Sequence, residues 1–410
     1  MWDSGLATSI FANMKTTSYR KIKLKPMKER SVLNFHPWVF SGALATQVKD
    51  YQEGELVEVF DSNEKYLATG HFHHGTIMVR LITFEQQLID QSFWEKKIAA
   101  AFAFRKTLPF MQDDHTNTFR LIHGEGDGLP GLIIDVYGST AVIQAHSEGM
   151  QLAITDIAAA LQNIPGLQLK SIYNKSAEAI SKQDGVASGN AHLHGKEDAE
   201  IVFEYDHKFY VNWLEGQKTG FFLDQRENRK LLADYVKGKT VLNTFCYSGG
   251  FSIYALKAGA AHVDSVDSSK KAMEWTDKNV AENFPSGAPH TSYCQDVFDF
   301  LKTEEKKYDV IVLDPPAFAK HLSAVDKAVI GYRNLNYEAI KSIKPGGLIF
   351  TFSCSQAIDK QLFRKTIFTA AVKTGRQVRV LHQLSQGPDH PVSLYHPEGE
   401  YLKGLVLLVD

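Results

Sequence analysis

Apolar and polar residues alternate over Tyr19–Leu24, Glu55–Phe60 and Thr76–Ile82, with Gly42, Gly54, Gly70 and Gly75 between and around these runs. A period of two broken by turn residues predicts short, half-buried strands, and so a small β-rich unit at the start of the chain. The period then lengthens. Over Phe93–Leu108 the apolar positions Ile98, Ala101, Phe102 and Phe104 predict a helix. Leu132–Tyr137 and Ala141–Ala145 flank Gly138-Ser139 and predict a hairpin. Within 150–162, Ile154, Ile157, Ala158 and Leu161 share one helical face, and the Gly-, His- and charge-rich run Asp184–Asp198 predicts a loop. From about residue 206 strands and helices alternate. The strands fall at Val241–Phe245, His262–Val266, Thr291–Gln295, Asp309–Leu313, Leu348–Ser353, Gln377–Leu381 and Gly404–Val409; helices lie at 252–258, 270–283, 326–343 and 359–373. Such alternation predicts an α/β fold with a doubly wound, mostly parallel sheet, whose ligands sit beyond the carboxyl ends of the strands. The divisions expected are a lead segment over 1–18, a candidate for disorder; a β-rich domain over 19–92; an α+β domain over 93–205; and the doubly wound domain over 206–410.

Composition narrows the function classes. The 410 residues are 44% hydrophobic and 22% charged, which is ordinary for a globular chain and excludes a disordered or fibrous one. Lys+Arg 45 against Asp+Glu 47 leaves a net charge of −2, so any nucleic acid must be held by local patches. One such patch is the basic stretch from Arg20 to Arg30, in which Arg20, Lys21, Lys23, Lys25, Lys28 and Arg30 face only Glu29 in opposition. Its bland counterpart is a solvated strand. Three cysteines (Cys246, Cys294, Cys354) cannot staple a chain of this length and point to a reducing compartment. No apolar run reaches the ~18 residues of a membrane span, and residues 1–14 lack the pattern of a secretory signal, so the expected location is cytoplasmic. His71, His73 and His74 alternate without matching Cys, Asp or Glu spacing, so no metal is expected.

The chemistry gathers at the predicted strand ends. The first strand of the last domain runs into Asn243-Thr244-Phe245-Cys246-Tyr247-Ser248-Gly249-Gly250, a turn that lets backbone approach a ligand at a helix start. It is not Gly-x-Gly-x-x-Gly, so the dinucleotide cradle is absent. Asp267 ends the second strand, where a carboxylate can accept ribose hydroxyls, and Asp296 follows the third. A nucleoside without a pyrophosphate fits this set; a bare sheet with tight turns is the alternative. The fourth strand runs into Asp314-Pro315-Pro316-Ala317-Phe318, where two prolines stiffen an acceptor-bearing turn and Phe318 can stack on a planar ring. The fifth ends in Thr351-Phe352-Ser353-Cys354-Ser355. In strand order 3-2-1-4-5 the ends of the fourth and fifth are neighbours, so Asp314 and Cys354 should face one cleft. A thiol there is a candidate nucleophile, although lone strand-end cysteines are commonly inert. Cys246 packs in the ligand loop and Cys294 reads as strand core.

Together these residues resemble the bacterial 23S rRNA cytosine-C5 methyltransferases of the RlmI type. His36-Pro37-Trp38-Val39-Phe40-Ser41-Gly42-Ala43 resembles the opening of that family's PUA domain, and His123–Leu132 its central-domain signature. Gly216–Arg229 (GQKTGFFLDQRENR) is similar to the segment leading into its cofactor site. Thr351–Ser355 and the tail from Asp389 to Gly404 follow the pattern too. The resemblance runs from about residue 19 to the C-terminus.

It implies a PUA-like RNA-binding domain, a central domain and a Rossmann-like sheet that uses S-adenosylmethionine. It implies Cys354 as the thiolate that attacks cytosine C6, Asp314 as the group that binds the base at N3/N4, and Phe318, with Pro315 and Pro316, as a holder of the flipped base. Asp267 would bind the cofactor ribose, Asp296 the adenine amine, and Asn243, Phe245, Ser248 and Gly249 the methionine end, with Gln225 and Arg226 closing the pocket. Arg20, Lys21 and Lys23 would touch RNA, and the partner would be 23S rRNA or a precursor of the large ribosomal subunit; a homodimer stays open. Where another RNA methyltransferase family carries a second cysteine beside Asp-Pro-Pro, this chain has Ala317, which implies a single-cysteine route and leaves the base for the C5 proton unidentified. Two rival functions remain: N-methylation of an rRNA purine, for which the Asp-Pro-Pro turn alone would serve, and a non-catalytic RNA-binding factor.

Overall fold

The computed structural model describes residues 19–112, 114–177, 179, 189–303, 307–319 and 321–410 of the chain; the expected lead segment, 1–18, lies outside them. The first sheet has five strands in the order Arg20–Lys23, Leu56–Phe60, Tyr66–Phe72, Ile77–Thr83 and Trp38–Phe40, with only the first pair parallel. Tyr66–Phe72 escaped the period-two pattern because nearly every residue in it is buried, His71 included, so neither face reads as polar and solvent-facing. Gly70 is required there, since a Cβ would lie 2.2 Å from the Arg80 carbonyl oxygen on the neighbouring strand.

The second sheet runs Ala191–His194, Ser171–Asn174, Thr140–Ala145, Leu132–Tyr137 and Thr118–His123. The predicted hairpin at Gly138-Ser139 is present, with Tyr137 opposite Thr140. Two expectations change here. Ala191–His194 is an edge strand rather than loop, while 184–188 lie outside the described residues. The helix expected over 150–162 is two, Glu148–Leu152 and Ile154–Gln162, parted at Ala153. Helix Gln91–Arg105, capped by Asp90, closes this core with Trp94 and Ile98.

A two-stranded hairpin, Ala199–Glu204 with His207–Asn212, leads on, and the expected boundary at 205/206 falls in its turn. Both turn residues, Tyr205 and Asp206, have positive φ (47° and 62°), the geometry that matches strand twist.

The last sheet has seven strands, here numbered in chain order β1 (Thr240–Thr244), β2 (His262–Asp267), β3 (His290–Cys294), β4 (Val310–Leu313), β5 (Gly347–Ser353), β6 (Val378–Leu384) and β7 (Lys403–Val409). Their order is 3-2-1-4-5-7-6, parallel except for β7, which runs antiparallel to β5 and β6. Helices Gly250–Lys257, Lys270–Asn283, Val325–Ser342 and Lys360–Thr374 cover its two faces, each with its own apolar core. The α/β, doubly wound expectation holds. Cys294 does not: β3 is an edge strand, so the thiol at its end is exposed and donates to the Ser268 carbonyl, at 3.6 Å.

The central and C-terminal parts meet on buried charge. Asp389, fully buried, accepts from Arg226 Nη1 (3.0 Å) and the Arg120 backbone N–H (3.0 Å), and its carbonyl accepts from Arg105 Nη2 (2.9 Å). Burial alone would raise its pKa; the Arg226 charge, His390 and these donors overturn that and hold it far below the usual carboxylate range. Glu204 at the hairpin end completes the cluster, bidentate to Arg229 (2.8 and 2.7 Å) and 3.4 Å from Arg226 Nε. Removing one member of such a group leaves a buried charge uncompensated. Asp389→Ala is therefore expected to cost about 3–5 kcal/mol, read as an earlier first transition in chemical denaturation.

Candidate active site

The carboxyl ends of β1, β2, β4 and β5 open on one cavity of about 510 Å³. It is lined by Asp314, Pro315, Pro316 and Ala317 after β4, Cys354 after β5, Asn243, Phe245 and Ser248 from the β1 loop, and Asp267 at the end of β2. Asp314 and Cys354 thus share one cleft because β4 and β5 are parallel neighbours, with Leu313 beside Thr351. Ser355 fixes the two loops together. Its Oγ accepts from the Ala319 N–H (3.2 Å) and bonds the Tyr332 hydroxyl (2.9 Å), while its carbonyl accepts from Lys403 Nζ (2.6 Å).

The β1 loop is strained in a way that suits a ligand. Phe245, Tyr247 and Gly249 all have positive φ (52°, 49° and 79°). Asn243 Oδ1 and Ser248 Oγ are buried with no hydrogen-bond partner among the described residues. Polar atoms orphaned in a cavity wall await a ligand's donors. Asp267 receives the Tyr247 N–H (3.1 Å) and the Ser269 N–H (2.9 Å), which aims its carboxylate across the cavity mouth. Gly249 itself faces away, where a Cβ would meet Thr276 at 2.9 Å.

The opposite wall is the segment 217–229, held down by Tyr247, whose hydroxyl donates to the Gly220 carbonyl (3.0 Å) and accepts the Gln217 N–H (3.0 Å). Lys218, Asp224 and Gln225 from this segment line the cavity. Gln225 Oε1 accepts from Asn228 Nδ2 (2.6 Å), which leaves its own amide to hydrogen-bond Asp314. Burial, and then the charge of Asp224, push the Asp314 carboxyl up to about 7, against the pull of Gln225, Lys218 and Arg229. Burial also raises the Cys354 thiol above its ordinary value, opposed chiefly by Lys218. Lys403, on the far side of Cys354, is lowered to about 8 by burial.

Several expected residues lie elsewhere. Arg226 does not line the cavity; it is buried in the ion cluster with Asp389 and Glu204. Asp296 is exposed, and its Oδ1 caps the next helix by accepting the N–H groups of Phe298 (2.8 Å) and Asp299 (3.1 Å). Phe318 turns inward onto Tyr332, ring centroids 4.6 Å apart, instead of facing the cavity. Arg20 pairs with Asp50 (3.3 Å) and Glu55 (3.5 Å), Lys23 pairs with Glu64 (2.7 Å), and Lys21 lies over the Phe60 ring. Lys218, Asp224, Ser355 and Lys403 were not singled out from sequence. They sit inside the quoted Gly216–Arg229, Thr351–Ser355 and tail segments, and that was the only signal for them.

Comparison with known proteins places this geometry. Residues 187–393 match the model of an S-adenosylmethionine-dependent methyltransferase family, and residues 22–84 match a PUA-like domain. "Ribosomal RNA large subunit methyltransferase I" of Pseudoalteromonas atlantica is 38% identical over 395 residues, covering 95% of this chain and 99% of that protein. Its namesake in Shewanella denitrificans is 39% identical over 399 residues, with the same coverage. The chain belongs to the ribosomal RNA large subunit methyltransferase I family. The family's fold extends to solved structures: a Streptococcus mutans protein assigned as a SAM-dependent methyltransferase (TM-score 0.81, 23% identity) and one complexed with SAH (TM-score 0.82, 24% identity), each covering 95% of this chain and 100% of its own.

Family membership makes S-adenosylmethionine the cofactor, and the cavity fits it: two orphaned acceptors in the β1 loop, a strand-end carboxylate and room for a nucleoside amino acid. Asp314 carries a testable cost. A carboxyl that ionises near 3.8 in the unfolded chain but at about 7 in the folded one takes stability from the fold as pH climbs between those values. At pH 8 Asp314→Asn is expected to be more stable than the parent, by on the order of 2 kcal/mol after discounting for partial exposure. Near pH 4 the two should coincide. Thermal unfolding at both pH values checks this.

Proposed function

We propose that this chain methylates C5 of a cytosine in large-subunit rRNA, with Cys354 as nucleophile. The observation that carries the reading is the pairing, in one cavity with the cofactor residues, of a strand-end thiol and a carboxyl held near neutral pKa. Cytosine C5 is a weak nucleophile, and S-adenosylmethionine supplies an electrophilic methyl group. Addition of Cys354 Sγ to C6 makes C5 electron-rich, provided N3 takes a proton as the ring loses aromaticity. Asp314, protonated in part at neutral pH, donates that proton to N3, takes up in exchange the proton that the Cys354 thiol loses as the C6–S bond forms, and accepts from the N4 amine. Asp267 would hold the ribose hydroxyls of the cofactor, and Asn243 and Ser248 its amino-acid end.

The substrate class rests on the names of the relatives and on a second, larger cleft of about 1110 Å³. Trp38 and Arg80 of the PUA-like part, His123 of the central part, and Gln356 and Lys403 beside Cys354 line it. A flipped base can enter from that side while its strand crosses the seam. The position of Phe318 against Tyr332 weighs against the purine N-methylation reading, which would use that ring as a stacking face. The proposed substrate is 23S rRNA, free or in a precursor of the large subunit, met in the cytoplasm.

Cys354→Ala should abolish methyl transfer while S-adenosylmethionine still binds. The parent protein should form a denaturant-stable adduct with 5-fluorocytidine rRNA, and the variant should not. Wild-type transfer by the variant would overturn the nucleophile assignment.

The ion pairs of Arg20 and Lys23 bear on RNA binding as well. Two phosphate contacts to a single strand would account for roughly 1.4 units of slope in log K against log salt. Because both charges already have carboxylate partners, the double variant Arg20→Ala/Lys23→Ala is expected to change that slope by less than about half as much. Salt titration of rRNA binding gives the answer.

A further inference from the structure

Methylation at C5 leaves a proton there that some group must accept before Cys354 can depart. Three carboxylates line the cavity among the described residues, and two are committed. Asp267 receives two backbone N–H groups at the end of β2. Asp314 faces Gln225 and, in the proposed reaction, the N3/N4 edge of the base. The third is Asp224, in the single turn Leu223–Gln225 on the wall opposite β4 and β5.

Asp224 is buried, and its two oxygens differ. Oδ2 accepts from the Tyr401 hydroxyl at 2.6 Å, whereas Oδ1 has no hydrogen-bond partner among the described residues. An unmatched carboxylate oxygen in a low-dielectric wall is costly, and such exceptions mark functional positions. Its charge reaches both reacting groups, since it helps to raise Asp314 and Cys354. The remaining titratable neighbours keep it ionised: burial works against the charge, but Lys218, His390, Tyr401 and Arg120 prevail and lower its pKa. Lys218 itself, a cation, cannot accept a proton.

We propose that Asp224 is the base that removes the C5 proton, an inference that rests on the C5 reading above. The C5–H bond breaks and its proton goes to Asp224 Oδ1. The electron pair becomes the C5=C6 double bond, and the C6–S bond breaks with its pair retained by the Cys354 sulfur. The product then carries the N3 proton, which returns through Asp314 to the Cys354 sulfur.

The test follows methyl-labelled S-adenosylmethionine on 23S rRNA from cells lacking this protein, with free and protein-bound methylated RNA separated under denaturing conditions. Asp224→Asn keeps an acceptor for Tyr401 and is expected to bind the cofactor as the parent does. It should transfer the methyl group once and accumulate as a methylated adduct through Cys354, with release slowed roughly 100-fold or more. Asp224→Glu, which retains a carboxylate, should release product faster than the Asn variant and carries the test if the latter does not fold. Free turnover by Asp224→Asn without an adduct overturns the proposal. So does a block before methyl transfer, or loss of cofactor affinity, which would make Asp224 a cofactor ligand. A parent protein that forms no adduct on 5-fluorocytidine RNA instead overturns the C5 reading itself, whatever Asp224 does.

Discussion

The structure depends on one buried carboxylate. Asp389 binds Arg226 at the start of the helix before β1, the Arg120 backbone in the central sheet, and Arg105 in the helix behind it. These partners come from segments 284, 269 and 163 residues away. Among the described residues no strand pairing joins the central five-stranded sheet to the seven-stranded one, so this charge helps to set the angle at which the central and C-terminal parts meet. Burying it is expensive in desolvation, and a well-packed apolar junction could be as stable. What the ion cluster adds is direction: guanidinium forks accept one geometry, and apolar contacts accept many. The segment it pins, Arg226–Ala233, continues from the loop that forms the far wall of the cavity.

That wall determines the electrostatics of the site. Three carboxylates and the Lys218 ammonium share about 510 Å³, and their repulsion leaves the proton on the group with fewest donors. Asp224 has Tyr401 and Lys218; Asp267 has two backbone N–H groups; Asp314 has chiefly Gln225. Asp314 is the one pushed up to about 7. Repulsion of this kind destabilises the fold and prepares an acid in the same stroke, which is how active sites come to oppose stability.

The doubly wound sheet was readable in the sequence because its central strands are buried on both faces and stand out as apolar runs between amphipathic helices. The same property hid Tyr66–Phe72, which lay beside alternating strands that set the expectation. At the site, what the sequence could show was residue type and nearness to a strand end. It could not show facing. Gln225 and Arg226 are adjacent, yet one lines the cavity and the other is buried in charge, since successive residues in a helical turn point about 100° apart. Phe318 and Asp296 failed for the same reason: each has a local partner, Tyr332 or the backbone of a helix start, that a strand-end rule does not contain. Lys218 and Asp224 lie in a loop without period, where only the fold could bring them opposite Cys354.

The thiol raised by burial looks ill suited to a nucleophile until the charges of the proposed addition are followed together. Cys354 gives up a proton as it attacks C6, and N3 gains one from Asp314. Summed over the cavity, a neutral thiol and a neutral base become a neutral thioether, so no net charge is created where creating it would cost most. A thiol poised as a thiolate at rest would need a permanent cation beside it and would stand open to oxidation in a cavity that water reaches. Lys218 acts on the thiol across a site it shares with two other carboxylates, which dilutes its pull. The cysteine therefore stays protonated until a base arrives to accept, through Asp314, the proton equivalent it must lose. The raised carboxyl and the raised thiol are two consequences of one buried, anionic wall, and the substrate's own N3 is the group that resolves them.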